Sequence, residues 1–423
     1  MSDDRKTQPA GTPERPDRAQ LLRQLGAEEH APVSIDGALV HRSLRPGDAA
    51  AVAAILSQLR GSDIAVVVRG AGSSPGPSNP PKRADLLLET TKLSGVDDFD
   101  PEEGVIHMGA GTRLSTIREA ARAAGWELPL DPPGTSATLG GVLARAAVGP
   151  RELGFGPARD CVLGLDVVLA DGTVTRCGGR VVKNVTGFDL ARLYTGSCGI
   201  LGVIVGAWLR LRPRPAAVKA LRASGFDRPR LLAWTAEAAL RGTARAAGLV
   251  TSGLLPGGST EEGCLAWVEF AGEVLAVEED ANATFRALPG VEEVEEAAGP
   301  LREWQAASLG DRALRARLHA GTGSIETASA ALEEAGFAQL VYPGTGTLYA
   351  HTRASALHGP IKILRSLRER LGGDLCFEEM PDDAKADYDA FEVSPDERQL
   401  WSALKQRFDS EGRLNPGRGA GRL

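Results

Sequence analysis

The chain has 423 residues, and its 43% hydrophobic and 24% charged residues exclude a polypeptide that is disordered throughout. The net charge of -7 offers no basic excess to attract phosphates, so general nucleic-acid binding is not expected. Glycine is unevenly spread, because 23 of the 51 glycines lie in residues 70–206. No Gly-X-Y period accompanies them, so they indicate turns, tight packing or backbone contact with a ligand rather than collagen.

The cysteine and hydropathy patterns indicate a soluble, cytoplasmic protein. The five cysteines form no C-x-x-C pair and have no histidine at zinc-ligand spacing, which is typical of reduced thiols. The N-terminal residues have no apolar core, so we expect no signal peptide. The apolar runs fall far short of the ~20 residues that span a bilayer, so any membrane contact is expected through a partner.

The first half of the chain predicts short strands and short helices after a flexible tail over residues 1–30. Asp171-Gly172 between two β-rich runs is a strong hairpin signal. Asp189 is expected to cap a short helix, and Asp160 to fix the loop before a strand. The predicted strands cover residues 64–68, 85–89, 104–108, 161–170, 173–176 and 201–211. The predicted helices cover 114–124 and 189–194, and an earlier helix follows a turn in residues 44–56 and ends at Gly61.

The pattern changes after Pro215 to alternating strands and Ala/Arg/Glu-rich helices, which predicts an α+β module. Its strands are expected at 265–270, 339–342 and 347–350, and its helices at 231–241, 324–335 and 360–371. The last helix has the clearest start, because Ser394-Pro395-Asp396-Glu397 is a capping box with proline at the first helical position. Leu400, Leu404 and Phe408 are expected to form its apolar stripe.

The first glycine segment follows a predicted strand directly. Two glycines and two serines in residues 69–74 can form a nest of N–H and hydroxyl groups for a pyrophosphate, and a strand-ending turn is the alternative. Four prolines between residues 75 and 81 prevent a helix from starting there. A Rossmann-type site needs that helix, so the sequence argues against one.

Two further glycine segments follow, at residues 132–141 and 196–204. The first has two prolines, a threonine and paired glycines, and small residues continue to Gly149, which leaves room for a flat ligand. The second enters an apolar strand through glycine, so its backbone could bind the edge of a ring. Tight packing is the alternative for each segment alone, but three in this order favour a ligand.

The order RGAGSS, PPGTSATLGG, DCVLGLDVVLADG, GGRVVKNVTGFDLARL, GSCGILGVI and LNPG resembles the FAD-binding fold of the vanillyl-alcohol-oxidase (PCMH) type. Residues 179–189 and 149–151 are similar to the FAD-binding (E-type) subunits of bacterial glycolate oxidase. The resemblance is strong over residues 40–213, good over 394–423 and weak between them. It implies an α+β fold with four parts: a tail (1–30), a PCMH-type FAD-binding domain of two α+β subdomains (31–215), an α+β cap (216–390), and a C-terminal helix with the LNPG segment that returns to the FAD domain (391–423).

The resemblance also implies which residues hold FAD. The pyrophosphate would lie on the first glycine segment, the flavin and ribityl chain on the second, and the adenosine or ring edges on the third, with the C-terminal asparagine facing the flavin. The implied residues are Arg69, Gly70, Ala71, Gly72, Ser73, Ser74, Pro133, Gly134, Ala137, Thr138, Gly140, Gly141, Gly149, Gly199, Gly202, Ile204 and Asn415.

The departures from the family are as informative as the matches. Covalent members carry histidine where Ser73 stands, so the expected FAD is non-covalent. The histidine- and acid-rich metal motif of the catalytic relatives is not visible, so no metal and no catalytic base are assigned, and His351 is expected to be structural or at the surface. Cys198 is expected to be a small buried side chain. Glu378-Glu379 and Asp382-Asp383 are expected in an exposed loop.

The resemblance implies an FAD-linked subunit of a glycolate oxidase complex that oxidises glycolate, a small 2-hydroxy acid, to glyoxylate. Its expected partners are a larger flavoprotein subunit and an iron–sulfur subunit, because this chain has no cysteine cluster for iron–sulfur ligation. Two alternatives stay open. The chain could hold FAD as a structural or electron-relay subunit, or it could be a stand-alone oxidoreductase of another 2-hydroxy acid or a sugar alcohol.

Overall fold

The computed structural model describes residues 17–73, 79–180, 188–251, 263–307 and 313–423. Three large β-sheets follow one another along these ranges, each with helices packed against it, and β7 (Trp126–Glu127) and β11 (Arg212–Pro213) form a fourth, two-stranded sheet. The mixed helix and sheet content is as the sequence predicts. Within the described part of the chain, no helix combines the length and apolar character needed to cross a membrane.

The first sheet has four strands in the order β1–β2–β4–β3, and helices α1 and α2 precede and follow its first hairpin. Asp48 caps α2 by accepting a hydrogen bond from the Ala51 N–H. The parallel strands β3 and β4 lie in the core under α2, so the loop that follows β3 starts from a rigid position. The elements are α1 (Arg18–Gln24), β1 (Glu28–Ile35), β2 (Ala38–Leu44), α2 (Ala49–Gln58), β3 (Val66–Arg69) and β4 (Leu86–Glu89).

The second sheet has five antiparallel strands in the order β5–β6–β10–β8–β9, with the apolar β10 at its centre. The predicted Asp-Gly hairpin joins β8 to β9, and Asp189 caps α6 as predicted, by accepting from the Arg192 N–H. The elements are β5 (Val96–Asp100), β6 (Val105–Gly109), α3 (Leu114–Ala123), β7 (Trp126–Glu127), α4 (Leu139–Arg145), α5 (Glu152–Phe155), β8 (Val162–Val168), β9 (Val174–Gly178), α6 (Leu190–Tyr194), β10 (Val203–Arg210) and β11 (Arg212–Pro213), which pairs with β7.

The third sheet has eight antiparallel strands in the order β15–β12–β14–β13–β17–β18–β16–β19. Helices α7, α8, α10 and α11 cover one face and bury its apolar side chains, while α9 lies on the other. The elements are β12 (Ala217–Ser224), α7 (Arg228–Ala239), β13 (Ala244–Val250), β14 (Leu265–Gly272), α8 (Val274–Ala287), β15 (Glu292–Val294), α9 (Ala298–Ala306), β16 (Ala313–His319), α10 (Ile325–Glu334), β17 (Ala338–Tyr342), β18 (Thr347–Arg353), α11 (His358–Leu371) and β19 (Asp374–Glu379).

The C-terminal segment returns to the first two sheets. After α12 (Asp382–Lys385), the predicted capping box opens α13 (Pro395–Phe408). Beyond α13, Val66 of β3 donates its N–H to the Arg413 carbonyl at 2.9 Å and accepts from the Asn415 N–H at 2.8 Å, so this segment pairs beside β3.

The predicted apolar stripe of α13 is only partly right. Leu404 and Phe408 pack on the second sheet's core, but Leu400 is 62% exposed. The helix instead buries Lys405, whose Nζ donates to the carbonyl oxygens of Ile200 and Leu414 and to Asp409 at 2.6–2.8 Å. A hydrophobic pattern does not show such a satisfied lysine, because its aliphatic stem packs like an apolar side chain.

Candidate functional site

A cleft lies where the first sheet, the second sheet and the C-terminal segment meet. Its volume is about 270 Å³. All of the residues that the resemblance implied for the cofactor line this cleft except Ser74, Gly134 and Gly149. Ser74 lies outside the described residues, and so do residues 181–187 of the motif at 179–189 that resembles glycolate oxidase subunits. Gly134 lines an adjoining cavity, and Gly149 packs against the Asp131 carbonyl.

Glycine is required at two points of the cleft wall because other chain atoms come close. A Cβ on Gly70 would lie 2.3 Å from Thr138 Oγ1, so the first and second glycine segments could not approach each other with any larger residue. Gly199 has φ +69° and its Cβ would lie 2.7 Å from Asn415 Nδ2. The glycines therefore bring three separate segments together around one cleft.

Arg69 anchors the first glycine segment to β4. Its Nη2 donates to the buried carboxylate of Glu89 at 2.5 Å, and Arg45 pairs with the same carboxylate. Burial raises the pKa of Glu89, but the hydrogen bonds from the two arginines outweigh burial and hold it below its usual value. The pairing uses one end of the Arg69 guanidinium, and its buried Nε has no hydrogen-bond partner among the described residues.

Asn415 joins the C-terminal segment to both of the other walls. Its Oδ1 accepts from the Val68 N–H at 2.9 Å, and its Nδ2 donates to the carbonyl oxygens of Cys198 and Gly199 at 3.1 Å each. The residue is 2% exposed and has φ +46°, a left-handed conformation that asparagine tolerates. Asn415 lines the cleft. Its side chain makes hydrogen bonds that join β3 to the third glycine segment.

Two arginines that sequence reasoning missed, Arg145 and Arg418, also line the cleft. Arg418 pairs with Asp36 at 2.9 Å, and its Nη1 is buried without a partner among the described residues. Burial lowers the pKa of Arg418 from its usual value. The available signal was position, because Arg145 ends the helix that starts in the second glycine segment and Arg418 follows the LNPG motif.

The buried polar atoms of the wall indicate a polar ligand. Arg69 Nε, Thr138 Oγ1 and Arg418 Nη1 are buried and lack partners within the described ranges. Each would cost free energy if it stayed unsatisfied. A diphosphate or a sugar hydroxyl supplies the acceptors and donors that these groups need.

A smaller cavity of about 60 Å³ adjoins the cleft, and we call it the inner cavity. The two spaces share lining residues from the first and second glycine segments and from the end of α4. Its far wall is the face of the third sheet opposite the helix layer. The inner cavity is lined by Ser73, Pro133, Gly134, Arg145, Ala146, Ala147, Val148, Gln305, Ala306, Arg315, Arg317, Tyr349 and Glu378.

Strand register brings the charged groups of the inner cavity together. Arg317 on β16 pairs in register with Tyr349 on β18, so both side chains point the same way from the sheet. On the other side of β16, the register shifts between Arg315 and Ala316, because Arg315 pairs with Glu379 and Ala316 with Phe377. Glu378 is the extra residue of this β-bulge, and bulges turn a side chain to a new direction.

The arginines and Glu378 interact without saturating each other. Arg315 Nη1 donates to the carbonyl oxygens of Gln305 and Ala307 at 2.9 and 3.0 Å, while its buried Nε has no hydrogen-bond partner in the described part of the chain. Arg315 Nε and Arg317 Nε each lie 3.6 Å from a Glu378 oxygen. The cavity therefore has three guanidiniums, counting Arg145, against one carboxylate.

Glu378 corrects one sequence prediction. Glu378 and Glu379 both lie on strand β19, with 11% and 18% of their side chains exposed, and not in an exposed loop. The bulge puts Glu378 against the arginines. Asp382 and Asp383 lie in the first turn of α12.

His351 is structural, as one of its two predicted roles has it. It is 1% exposed beside Trp304, and burial lowers its pKa to about 3. Burial raises the pKa of the Cys198 thiol, which is consistent with a packing role. Among the described residues, no group of His, Cys, Asp or Glu has an arrangement that could hold a metal ion.

Comparisons with known proteins bear on the fold and on the cofactor. Residues 41–178 match the family described as FAD binding domain. The chain is 45% identical over 130 residues to glycolate oxidase subunit GlcE of Escherichia coli, over 30% of this chain and 37% of that protein. It is 34% identical over 161 residues to glycolate oxidase subunit GlcD of Bacillus subtilis, over 38% and 34% of the two chains. It is 36% identical over 171 residues to D-lactate dehydrogenase of Archaeoglobus fulgidus, over 40% and 38%.

The matched segment covers little more than a third of the length of each of these relatives. Among solved structures, alkyldihydroxyacetonephosphate synthase superposes with a TM-score of 0.64 at 14% identity, over 90% of this chain and 76% of that one. This likeness extends the fold through the third sheet, and the predicted PCMH-type α+β fold is confirmed. FAD is the cofactor of the domain, and the unsatisfied polar atoms of the cleft fit its diphosphate and ribityl groups.

Proposed function

We propose that the chain is an FAD-linked oxidoreductase of a small 2-hydroxy acid, because residues 41–178 match the FAD binding domain family and two of its relatives are glycolate oxidase subunits. Glycolate, which would be oxidised to glyoxylate, is the first candidate substrate. The chain would act as one subunit of a glycolate oxidase complex. The relatives' names supply the substrate class, and the inner cavity supplies the physical argument.

The charge of the inner cavity is the observation that carries the proposal. Arg315 and Arg317 outnumber the one carboxylate among the described residues that line the cavity, so this wall carries more positive than negative charge. A guanidinium offers paired N–H donors that match a carboxylate, and pairing with one relieves the cost of burying it. The inner cavity has less free space than the cleft, about 60 against 270 Å³, which favours an anion of few heavy atoms over a long dicarboxylate.

The chain's own residues divide the work between the cleft and the inner cavity. In the proposal, the first glycine segment with Thr138 and Arg418 binds the diphosphate and ribityl part of a non-covalently held FAD. The flavin ring would lie at the end of the cleft that the inner cavity shares, next to Pro133 and Ala147. The flavin, when bound, supplies the acceptor for two electrons and a hydrogen. The arginines orient the substrate carboxylate, and the walls of the inner cavity limit access of water.

Electron transfer beyond the flavin is assigned to partners. The five cysteines are dispersed through the fold, so an iron–sulfur centre would have to lie on another subunit. The names of two relatives, both glycolate oxidase subunits, favour a complex of several subunits. We propose a larger flavoprotein subunit and an iron–sulfur subunit as the partners. Cysteines that form no disulfide are consistent with a cytoplasmic location, with any membrane contact made through those partners.

One observation favours a second candidate function. No histidine lines the inner cavity within the described part of the chain. A subunit that holds FAD only as an electron relay would need no proton acceptor beside its flavin.

Anaerobic flavin reduction tests the proposal. The purified full chain with bound FAD is mixed with glycolate, D-lactate or D-2-hydroxyglutarate, and flavin absorbance is followed. We expect glycolate and D-lactate to bleach the flavin faster than the longer dicarboxylate, and acetate not to bleach it. Bleaching only after the partner subunits are added would favour the relay function. Acid precipitation of the same sample should release the flavin, since we propose a non-covalent link, and a purified chain without FAD would refute both functions.

A further inference from the structure

The inner cavity also has a group that can accept a proton. Resting on the proposed function, we propose that Glu378 is the general base that accepts the hydroxyl proton of the substrate. Glu378 is the one carboxylate among the described residues that line the inner cavity.

The other polar groups of the cavity are unsuitable as acceptors. Arginine side chains stay protonated in proteins, so Arg315 and Arg317 can only donate. Burial raises the pKa of the Tyr349 hydroxyl far above its usual value, so it stays protonated, and it already accepts from Gln305 Nε2 at 2.6 Å. A serine hydroxyl such as that of Ser73 needs a base beside it before it can take a proton.

Neighbouring arginines position the Glu378 carboxylate but make no hydrogen bond to it. The two arginine Nε atoms lie 3.6 Å from its oxygens, beyond normal hydrogen-bond length, and within the described ranges no group donates a hydrogen bond to it. The β-bulge at this residue turns the side chain toward the arginines and the cavity. A hydroxy acid whose carboxylate binds the arginines would therefore bring its 2-hydroxyl close to an acceptor with free lone pairs.

In the proposed step, the substrate gives a proton to Glu378 and a hydride to the flavin. The substrate O–H bond breaks and its proton goes to a Glu378 oxygen, while the electron pair left on the substrate oxygen forms the carbonyl bond. The hydrogen of the 2-carbon leaves with its two bonding electrons to the oxidised flavin. The alcohol is oxidised to a 2-oxo acid, the flavin is reduced, and Glu378 becomes neutral.

The neighbouring Glu379 provides a matched control. It lies next in sequence and 3.9 Å from Arg315 Nη1, but it does not line the inner cavity. Glu378→Gln keeps the size of the side chain and removes the proton acceptor, and Glu379→Gln makes the same chemical change beside it. The two variants, purified with FAD, are compared with the wild-type chain in stopped-flow anaerobic reduction by glycolate.

We expect Glu378→Gln to lower the limiting rate of flavin reduction by about 10²-fold or more, with little change in the apparent dissociation constant for glycolate. Glu379→Gln should keep both within about twofold of wild type. Glu378→Ala should regain part of its rate with added formate, because a small carboxylate can fill the space and accept the proton. A merely structural role would give no rescue.

The outcomes separate this assignment from the proposed function. A Glu378→Gln limiting rate within a few-fold of wild type would overturn the assignment and leave the proposed function standing. Should Glu378→Gln lose its FAD, the formate rescue of Glu378→Ala decides, and an absence of rescue would overturn the assignment. A wild-type chain that no hydroxy acid reduces, with or without partners, would refute the proposed function itself and the assignment with it.

Discussion

Removing the Asn415 side chain should loosen the cofactor cleft by a predictable amount. The side chain makes three hydrogen bonds to backbone groups of Val68, Cys198 and Gly199, and the residue is buried. At about 1 kcal/mol each, their loss should cost about 3 kcal/mol. Alanine at φ +46° adds about 1 kcal/mol because its Cβ disfavours the left-handed conformation. Asn415→Ala should therefore cost about 4 kcal/mol.

The matched variant Asn415→Gly separates the two costs. Glycine loses the same hydrogen bonds but adopts positive φ freely, so we expect a cost of about 3 kcal/mol. Both variants can be compared in urea unfolding followed by flavin fluorescence, and FAD affinity can be titrated on the apo chain. Since the side chain joins two walls of the cleft, FAD should bind more weakly in both. Equal stability and FAD affinity in Asn415→Ala and wild type would refute the role of Asn415 as a fastener.

Two further changes test the interior and the surface of the second sheet. Lys405→Met leaves the Asp409 carboxylate buried without its cation, so unfolding in urea should show a loss of about 3–5 kcal/mol, and a loss below 1 kcal/mol would contradict the buried pair. The hydrogen bond to Asp166 raises the pKa of His107 above 6.5, so the folded state favours the protonated ring. This stabilisation is complete below about pH 6.5 and disappears as pH rises through the folded pKa. The difference in melting temperature between wild type and His107→Gln should therefore shrink between pH 6 and pH 8.5. A difference that stays constant over this range would contradict the role of the protonated ring.

The cleft could be predicted from the sequence because the backbone of the three glycine segments forms much of its wall. Close approach at Gly70 and positive φ at Gly199 require one residue type, so they leave a visible pattern. The same holds for the capping box of α13 and the Asp-Gly hairpin, where local geometry selects the residues. Arg418 was missed because a buried arginine has no local requirement, and its role depends on where the C-terminal segment returns.

The inner cavity, where we propose that the substrate binds, could not be predicted from the sequence. Its charged residues are brought together by the register between paired strands. Glu378 lies more than 60 residues after Arg315 and Arg317 in the sequence. The three side chains meet because β16 and β19 pair in one register. Alternation in sequence also misplaces Glu378, since the bulge adds one residue to β19 and changes the direction of its side chain. Two adjacent glutamates before Met-Pro therefore look like a solvated loop until the pairing is known.

The charge of the inner cavity distinguishes the two candidate functions on energetic grounds. A relay subunit needs only to hold FAD, and it gains nothing from a buried guanidinium nitrogen without a hydrogen bond, which costs about 1–3 kcal/mol. Arg315 Nε is such an atom, and it lies beside a carboxylate that no described group hydrogen-bonds. A bound hydroxy acid would satisfy both groups at once, its carboxylate accepting from the arginine and its hydroxyl donating to Glu378. The unsatisfied pair therefore favours the oxidoreductase over the relay.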